Sequence, residues 1–281
     1  MNNSHPIAIE LCSIVNIHSG NCSENCLFCA QSRHNSCDIE KFDSIDPNNL
    51  VNHAKMLQAH GVKYISLVAS GRGPSKELLA TVTALTEKIL SNTTLQVCCS
   101  LGLLTKSDAN FLKTAGISRY HHNLETGESF FPQVCSTHSF DDRIRTIENA
   151  REAGLEICLG GMINIGESMD DRINMVETAI KKGATSVPLN VLLPVEGTPL
   201  YGKILMDPDE LIYTITTLYS MFPDTIFRFA GGRSQYSEEI TIKSLKAGIR
   251  GIMTGNYLTK AGIPVDKDIK LIGQNGYSVA S

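Results

Sequence analysis

The chain has 281 residues, of which 42% are hydrophobic, so it can bury one large core and is not a disordered protein. It carries 25 Lys and Arg against 29 Asp and Glu, a formal net charge of −4, which gives no support for binding nucleic acid or a membrane surface. No apolar run reaches the roughly 18 residues of a membrane span, and the N-terminal residues do not resemble a signal peptide. We therefore expect a soluble, cytoplasmic protein.

Strands and helices alternate along the chain. Helical segments ending in glycine are followed by strand-like runs at Gly61, Gly116, Gly154, Gly183 and Gly248, and glycine readily adopts the left-handed conformation that ends a helix. The predicted strands are 8–17, 62–69, 94–99, 117–124, 155–163, 184–191, 224–230 and 249–254. The predicted helices are 46–60, 75–91, 106–115, 139–153, 169–182, 207–221 and 235–247.

This alternation predicts an α/β fold, a closed (β/α)8 TIM-type barrel that forms a single domain over residues 1–281. An open doubly wound sheet is the alternative. We expect residues 8–31 to carry the first strand and a functional loop, and residues from about 200 to 281 to form the C-terminal part of the barrel. The residues after about 255 are predicted to form a tail packed on the barrel, with a polar end that frays.

The chain contains nine cysteines, an odd number that argues against a set of disulfides and favours metal or redox chemistry. Cys22, Cys26 and Cys29 follow the first predicted strand. Thiolates at this spacing can bind three irons of a 4Fe-4S cluster and leave the fourth iron free for another ligand. A zinc site is the alternative, but structural zinc takes four protein ligands and no second Cys-x2-Cys pair lies downstream.

With Phe28 before the last of these cysteines, the loop resembles the signature of the radical S-adenosylmethionine superfamily. Other stretches are similar to the biotin synthases within that superfamily, at compatible intervals along nearly the whole chain. These stretches are Cys22–Gln31, Val68–Gly73, Tyr120–Glu125, Asp142 with Arg143, Cys158–Gly161, Val187–Asn190, Glu196–Leu200 and Ala230–Arg233.

The resemblance implies that Cys22, Cys26 and Cys29 hold a 4Fe-4S cluster whose free iron binds S-adenosylmethionine, the source of a radical that abstracts hydrogen from an unactivated carbon. It implies cofactor contacts from Phe28, Ala69, Asn123, Glu125 and Arg143, of which the last three are also expected to be catalytic. It implies contacts with dethiobiotin from His121, Asn123 and Asn190. His121 departs from the family pattern, which has asparagine there.

The resemblance also implies an auxiliary iron–sulfur cluster, either 2Fe-2S or a variant of higher nuclearity, that supplies the inserted sulfur. Cys98, Cys158 and Arg228 match its usual ligands, whereas Ser66 stands where the family has a third cysteine. Cys12 is the best replacement, because it lies on the first predicted strand with a spacing that permits an inward position. Cys99 is expected to face the helices, and Cys37 and Cys135 lie on predicted loops.

These features together imply a radical sulfurtransferase that joins C6 and C9 of dethiobiotin through sulfur. A flavodoxin or ferredoxin-type reductant and a homodimer are implied as well, and no nucleic acid or membrane partner is expected. One alternative is a related radical enzyme of the hydrogenase-maturation or methylornithine-synthase type, which needs no sulfur donor. Another, from a different class, is a non-catalytic iron–sulfur electron carrier or a zinc-stabilised binding protein.

Overall fold

The computed structural model describes residues 6–280 and confirms the closed barrel. Eight parallel strands follow one another around it in the order β1, β2, β3, β4, β5, β7, β8 and β9, and β9 pairs again with β1. The strands are β1 Ala8–His18, β2 Tyr64–Ala69, β3 Gln96–Ser100, β4 Arg119–His121, β5 Glu156–Cys158, β6 Gly161–Ile163, β7 Ala184–Val191, β8 Phe227–Phe229, β9 Ile249–Thr254 and β10 Ser278–Val279.

Helices surround the barrel, and all but the last start after a residue whose side chain caps the helix. They are α1 Pro47–Ala59, α2 Lys76–Leu90, α3 Lys106–Thr114, α4 Phe140–Glu152, α5 Met169–Lys181, α6 Pro208–Met221, α7 Glu238–Ala247 and α8 Val265–Gln274. The caps of α1, α2, α4 and α6 are Asp46, Ser75, Ser139 and Asp207. Each of these four caps was predicted as the first residue of its helix, so the prediction began these four helices one residue early.

The prediction of one strand over 155–163 was wrong, because the chain forms two short strands there. β5 pairs with β4 and β7, whereas β6 pairs with β7 alone in the sheet. Gly160 lies between them, and a Cβ on it would come within 2.0 Å of the Pro188 carbonyl oxygen. The two backbones approach closely at this point, and only a glycine fits between β5 and β6.

The C-terminal segment is more ordered than predicted. α8 packs beside the barrel, and β10 pairs in parallel with the start of β1, with Ala8 opposite Ser278 and Ile9 opposite Val279. The segment therefore adds a short strand next to β1 instead of fraying.

Side chains alternate between the two faces of each barrel strand. On β1, Ile9 and Leu11 are fully buried against the helices, whereas Cys12 points into the barrel. This alternation places polar and sulfur-bearing side chains inside the barrel and aliphatic ones in the layer between strands and helices. Among residues 6–280, no helix is both long enough and apolar enough to cross a bilayer.

Candidate active site within the barrel

A cavity of about 420 Å³ fills the barrel interior and opens toward the loop after β1. Loops that follow barrel strands are the usual place for active sites in this architecture. The cavity is lined by every residue that the sequence singled out as a site residue. They are Cys12, Cys22, Cys26, Phe28, Cys29, Ala69, Cys98, His121, Asn123, Glu125, Arg143, Cys158, Asn190 and Arg228.

The loop after β1 is held in its conformation by hydrogen bonds among its own residues. Asn21 adopts a left-handed φ of 57°, and the Cys22 amide donates to the Gln31 carbonyl at 3.0 Å. The Asn35 side chain closes the loop by donating to the Cys29 carbonyl at 2.8 Å. Burial raises the pKa of the Cys29 thiol to about 11. Such a thiol stays protonated at neutral pH until a metal cation replaces the proton.

A second segment, residues 134–138, is bound tightly to this loop. The Leu27 amide donates to the Val134 carbonyl at 3.0 Å, and the Asn25 side chain accepts from the Ser136 amide at 3.0 Å. Glu24 accepts a hydrogen bond from the Thr137 hydroxyl at 2.8 Å. Hydrogen bonds therefore connect the loop to the segment that leads into α4.

Cys135 and His138 belong to this segment, and their position beside the loop could not be predicted from the sequence. Their side-chain ligand atoms lie within 4.8 Å of each other and of the Cys26 sulfur. The His138 ring is also paired with Glu24. Cys135 and His138 follow no known ligand spacing relative to Cys26, so only the folded structure reveals this contact.

Arg143 lies on the first turn of α4, which begins with a capping box between Ser139 and Asp142. Its side chain is buried, which excludes a solvated surface charge. Its Nη1 donates to the Asn123 carbonyl at 2.7 Å and to Glu125 Oε1 at 3.3 Å. The capping box thus fixes the helix end that carries the guanidinium.

Three buried polar atoms at this point have no hydrogen-bond partner among residues 6–280: Asn123 Oδ1, Glu125 Oε2 and Arg143 Nε. Glu125 also holds a left-handed φ of 73°, a conformation that costs free energy for a residue with a side chain. Unsatisfied donors and acceptors beside three thiols fit a ligand with amino, carboxylate and hydroxyl groups. Those are the groups of S-adenosylmethionine.

A second group of thiols lies deeper in the barrel. Cys12, Cys98 and Cys158 point inward from β1, β3 and β5. Ser66 lies on β2 beside Cys98, and its buried hydroxyl has no partner. Burial raises the pKa of all three thiols, and the nearest arginines offset part of that effect. Three soft thiol ligands around one buried space fit an iron–sulfur cluster.

Below these thiols, Arg119, Arg228 and Glu10 form a buried group of charges, called here the floor of the barrel. Arg228 donates from Nη2 to Glu10 Oε1 and from Nη1 to the Glu10 carbonyl at 3.1 Å. Arg119 lies 3.4 Å from the same Glu10 carboxylate, and its guanidinium stacks 3.7 Å from the centre of the Tyr64 ring. Neither Glu10 nor Arg119 was among the predicted site residues. The only available signal was alternation, which places Arg119 on the same face of β4 as His121.

His121 contacts one of the deeper thiols directly, with Nδ1 3.3 Å from the Cys158 sulfur. Burial lowers the pKa of His121 to about 4, so the imidazole is neutral at pH 7. A neutral imidazole can donate from one nitrogen and accept at the other.

Asn190 lies on β7 and lines the cavity, but its amide is already engaged. Its Nδ2 donates to the Gly161 carbonyl at 3.0 Å, and its Oδ1 accepts from the Gly231 amide at 2.9 Å. One amide hydrogen of Asn190 is left for a ligand.

Comparison with known protein families gives two matches that follow one another along the chain. Residues 16–179 match the radical SAM superfamily, and residues 188–278 match the biotin and thiamin synthesis associated domain. A biotin synthase of Heliobacterium modesticaldum is 42% identical over 271 residues, which are 96% of this chain and 83% of that protein. A biotin synthase of Pelotomaculum thermopropionicum is 40% identical over 275 residues, 98% of this chain and 86% of that one.

Solved structures share the fold at much lower identity. A methylornithine synthase (PylB) superimposes with a TM-score of 0.83 at 18% identity, over 98% of this chain and 84% of that one. An FeFe-hydrogenase maturase, HydG from Carboxydothermus hydrogenoformans, gives a TM-score of 0.81 at 18% identity, over 97% and 68% of the two chains. The two family matches and the near full-length relatives agree, and the chain belongs to the biotin synthase family of radical S-adenosylmethionine enzymes.

Proposed function

We propose that this chain inserts sulfur between C6 and C9 of dethiobiotin to form the thiophane ring of biotin. The proposal rests on one observation: two sets of three thiols lie at different depths of the same cavity. Cys22, Cys26 and Cys29 lie at its mouth, and Cys12, Cys98 and Cys158 lie inside the barrel. The outer group suits radical generation, and the inner group suits a sulfur donor that faces the same substrate space.

At the outer group, Cys22, Cys26 and Cys29 would hold the 4Fe-4S cluster. When bound, this cluster and S-adenosylmethionine supply a carbon radical that removes hydrogen from the substrate. Arg143 would pair with the methionine carboxylate, a role that suits its planar guanidinium. Asn123 and Glu125 would bind the cofactor's remaining polar groups through their unpartnered oxygens, and Phe28 and Ala69 would enclose its adenosyl part. Enclosure by the barrel excludes water from the reacting carbons.

At the inner group, Cys12, Cys98 and Cys158 together with Arg228 would hold the auxiliary cluster. Cys12 would take the place of the cysteine that the family has at Ser66. We propose a 2Fe-2S cluster or a variant of higher nuclearity. Dethiobiotin would lie between the two groups, in contact with His121, Asn123 and the free amide hydrogen of Asn190.

We further propose a flavodoxin or ferredoxin-type protein as the electron donor, because cleavage of S-adenosylmethionine consumes single electrons. A homodimer is proposed from the family alone. Nine free thiols among the described residues favour a reducing compartment such as the cytoplasm. Ser66 favours a second candidate, a radical enzyme of this family that inserts no sulfur and acts on another small substrate.

The test is an anaerobic assay of the iron- and sulfide-reconstituted protein with dethiobiotin, S-adenosylmethionine and a reductant, with biotin and 5′-deoxyadenosine followed by mass spectrometry. Cys98→Ala is compared with Cys99→Ala, because Cys99 is the next residue and is buried in the layer between strands and helices. We expect biotin from wild type and Cys99→Ala, and 5′-deoxyadenosine without biotin from Cys98→Ala. Formation of 5′-deoxyadenosine without biotin by wild type would favour the second candidate.

A further inference from the structure

The buried charges on the floor of the barrel do not balance. Arg119, Arg228 and Glu10 are each at most 8% exposed, so two guanidinium groups share one buried carboxylate. Glu156 also contacts Arg119, at 3.0 Å, but its side chain is 44% exposed and its charge is screened by water. A buried positive charge without a buried partner is strongly unfavourable unless an anion lies nearby.

The nearest candidates for that anion are the three inner cysteines. Arg119 is the register partner of Cys98 on the neighbouring strand, and both side chains point into the cavity. A cluster held by three thiolates is an anion when its iron–sulfide core carries two positive charges, because the thiolates bring three negative ones. With Arg228 counted as the protonated guanidinium that donates to Glu10, the excess positive charge of the floor matches the excess negative charge of the cluster.

We propose that Arg119 is a positioning residue of the auxiliary centre, where its fixed positive charge stabilises the cluster as an anion and raises its reduction potential. The inference rests on the proposed function, because it takes the inner thiols as cluster ligands. Glu10 holds Arg119 and Arg228 in place from below, and the Tyr64 ring supports the Arg119 guanidinium from one side. Arg119 acts through the electrostatic field and makes no bond to iron.

Removal of the Arg119 charge and removal of the Glu10 charge should change the reduction potential of the auxiliary cluster in opposite directions. Removal of the Arg119 charge disfavours an added electron on the cluster, whereas removal of the Glu10 charge favours it. Arg119→Gln should therefore lower the equilibrium constant for one-electron reduction about tenfold, which is about 59 mV. Glu10→Gln should shift the potential in the opposite direction. Arg119→Lys keeps the charge and should stay close to wild type.

The experiment is a potentiometric titration of the reconstituted full chain, followed by absorption and electron paramagnetic resonance. The outer cluster is recognised by the change in its signal on addition of S-adenosylmethionine. Arg145→Gln is the matched control, because it removes the same charge from a side chain that is 70% exposed. Its potential should equal that of wild type.

Opposite shifts in Arg119→Gln and Glu10→Gln, with Arg119→Lys near wild type, support the inference. An unchanged potential in both neutral variants overturns it. Loss of the auxiliary centre from Arg119→Lys as well as Arg119→Gln, in protein that still melts cooperatively, also overturns it, because Arg119 would then act by shape. A wild type that makes no biotin but shows the opposite shifts refutes sulfur insertion into dethiobiotin, whereas the inner thiols as cluster ligands and the role of Arg119 still stand.

Discussion

At the scale of single residues, the position of one sulfur distinguishes this chain from the family pattern. Ser66 on β2 has a buried hydroxyl without a partner, and Cys12 on the adjacent β1 lines the same cavity. A hydroxyl is a poor ligand for iron compared with a thiolate. We therefore expect Cys12→Ser to lose the auxiliary cluster and to lower the biotin yield at least tenfold, measured by iron content and by mass spectrometry.

A double variant that exchanges the residues at positions 12 and 66 is the control for this prediction. Cys12→Ser combined with Ser66→Cys keeps the number of thiols and moves one of them to the neighbouring strand, so it should recover much of the lost cluster. Full activity of the single Cys12→Ser variant would show that Cys12 is not a ligand.

The inner site also shows which residues a sequence can reveal. Cys98 and Cys158 were predicted because they match a family pattern, and Cys12 because strand alternation places it inside the barrel. Glu10 and Arg119 match no family pattern, although alternation places them on the inward faces of β1 and β4 with Cys12 and His121. They lie 109 positions apart in sequence, and only closure of the barrel brings their side chains together. Alternation can indicate that each side chain points inward, but the pairing of the two charges has no local signature and could not be predicted.

At the scale of elements, the N-terminal cap of α4 helps to position a residue of the proposed radical site. Ser139 caps α4 in a capping box with Asp142, and Arg143 lies on the same turn. Ser168 caps α5 in the same way, in a capping box with Asp171. Loss of either cap should lower the free energy of unfolding by about 1 kcal/mol. Only Ser139→Ala should also weaken S-adenosylmethionine binding, because only α4 positions Arg143.

Ser168→Ala is thus the matched control for Ser139→Ala, with stability measured by denaturant unfolding and affinity by calorimetry on the reconstituted protein. Equal affinities in the two variants would contradict the proposed link between the cap and the cofactor site.

The elements themselves were largely predictable. Glycines that end helices and periodic apolar residues gave eight strand regions and seven helices, because both signals are local. The division between β5 and β6 was missed, because it depends on the contact of Gly160 with Pro188, 28 residues away in sequence. α8 was missed although its apolar residues recur with helical periodicity and Asp266 and Asp268 lie in its first turn; only a side-chain cap is lacking, because Pro264 precedes the helix.

At the scale of the whole molecule, the C-terminal segment is joined to the barrel by a buried ion pair. Arg233 follows β8 and donates to both oxygens of Asp268 on α8, at 2.9 and 2.6 Å. Both side chains are at most 1% exposed. Replacement of Asp268 by Asn would leave a buried guanidinium without its counter-charge, and breaking a buried pair in this way typically costs about 3–5 kcal/mol.

We therefore expect Asp268→Asn to lower the free energy of unfolding by that amount in a urea titration. Glu239→Gln is the control, because Glu239 forms an ion pair with Lys243 that is open to solvent and should leave stability unchanged. The effect of Asp268→Asn should extend to the active site. α8 leads into β10, which pairs with β1, and β1 carries Cys12 and the loop with the three outer cysteines. Loss of stability without any loss of either cluster would show that the C-terminal segment stabilises the barrel independently of the site.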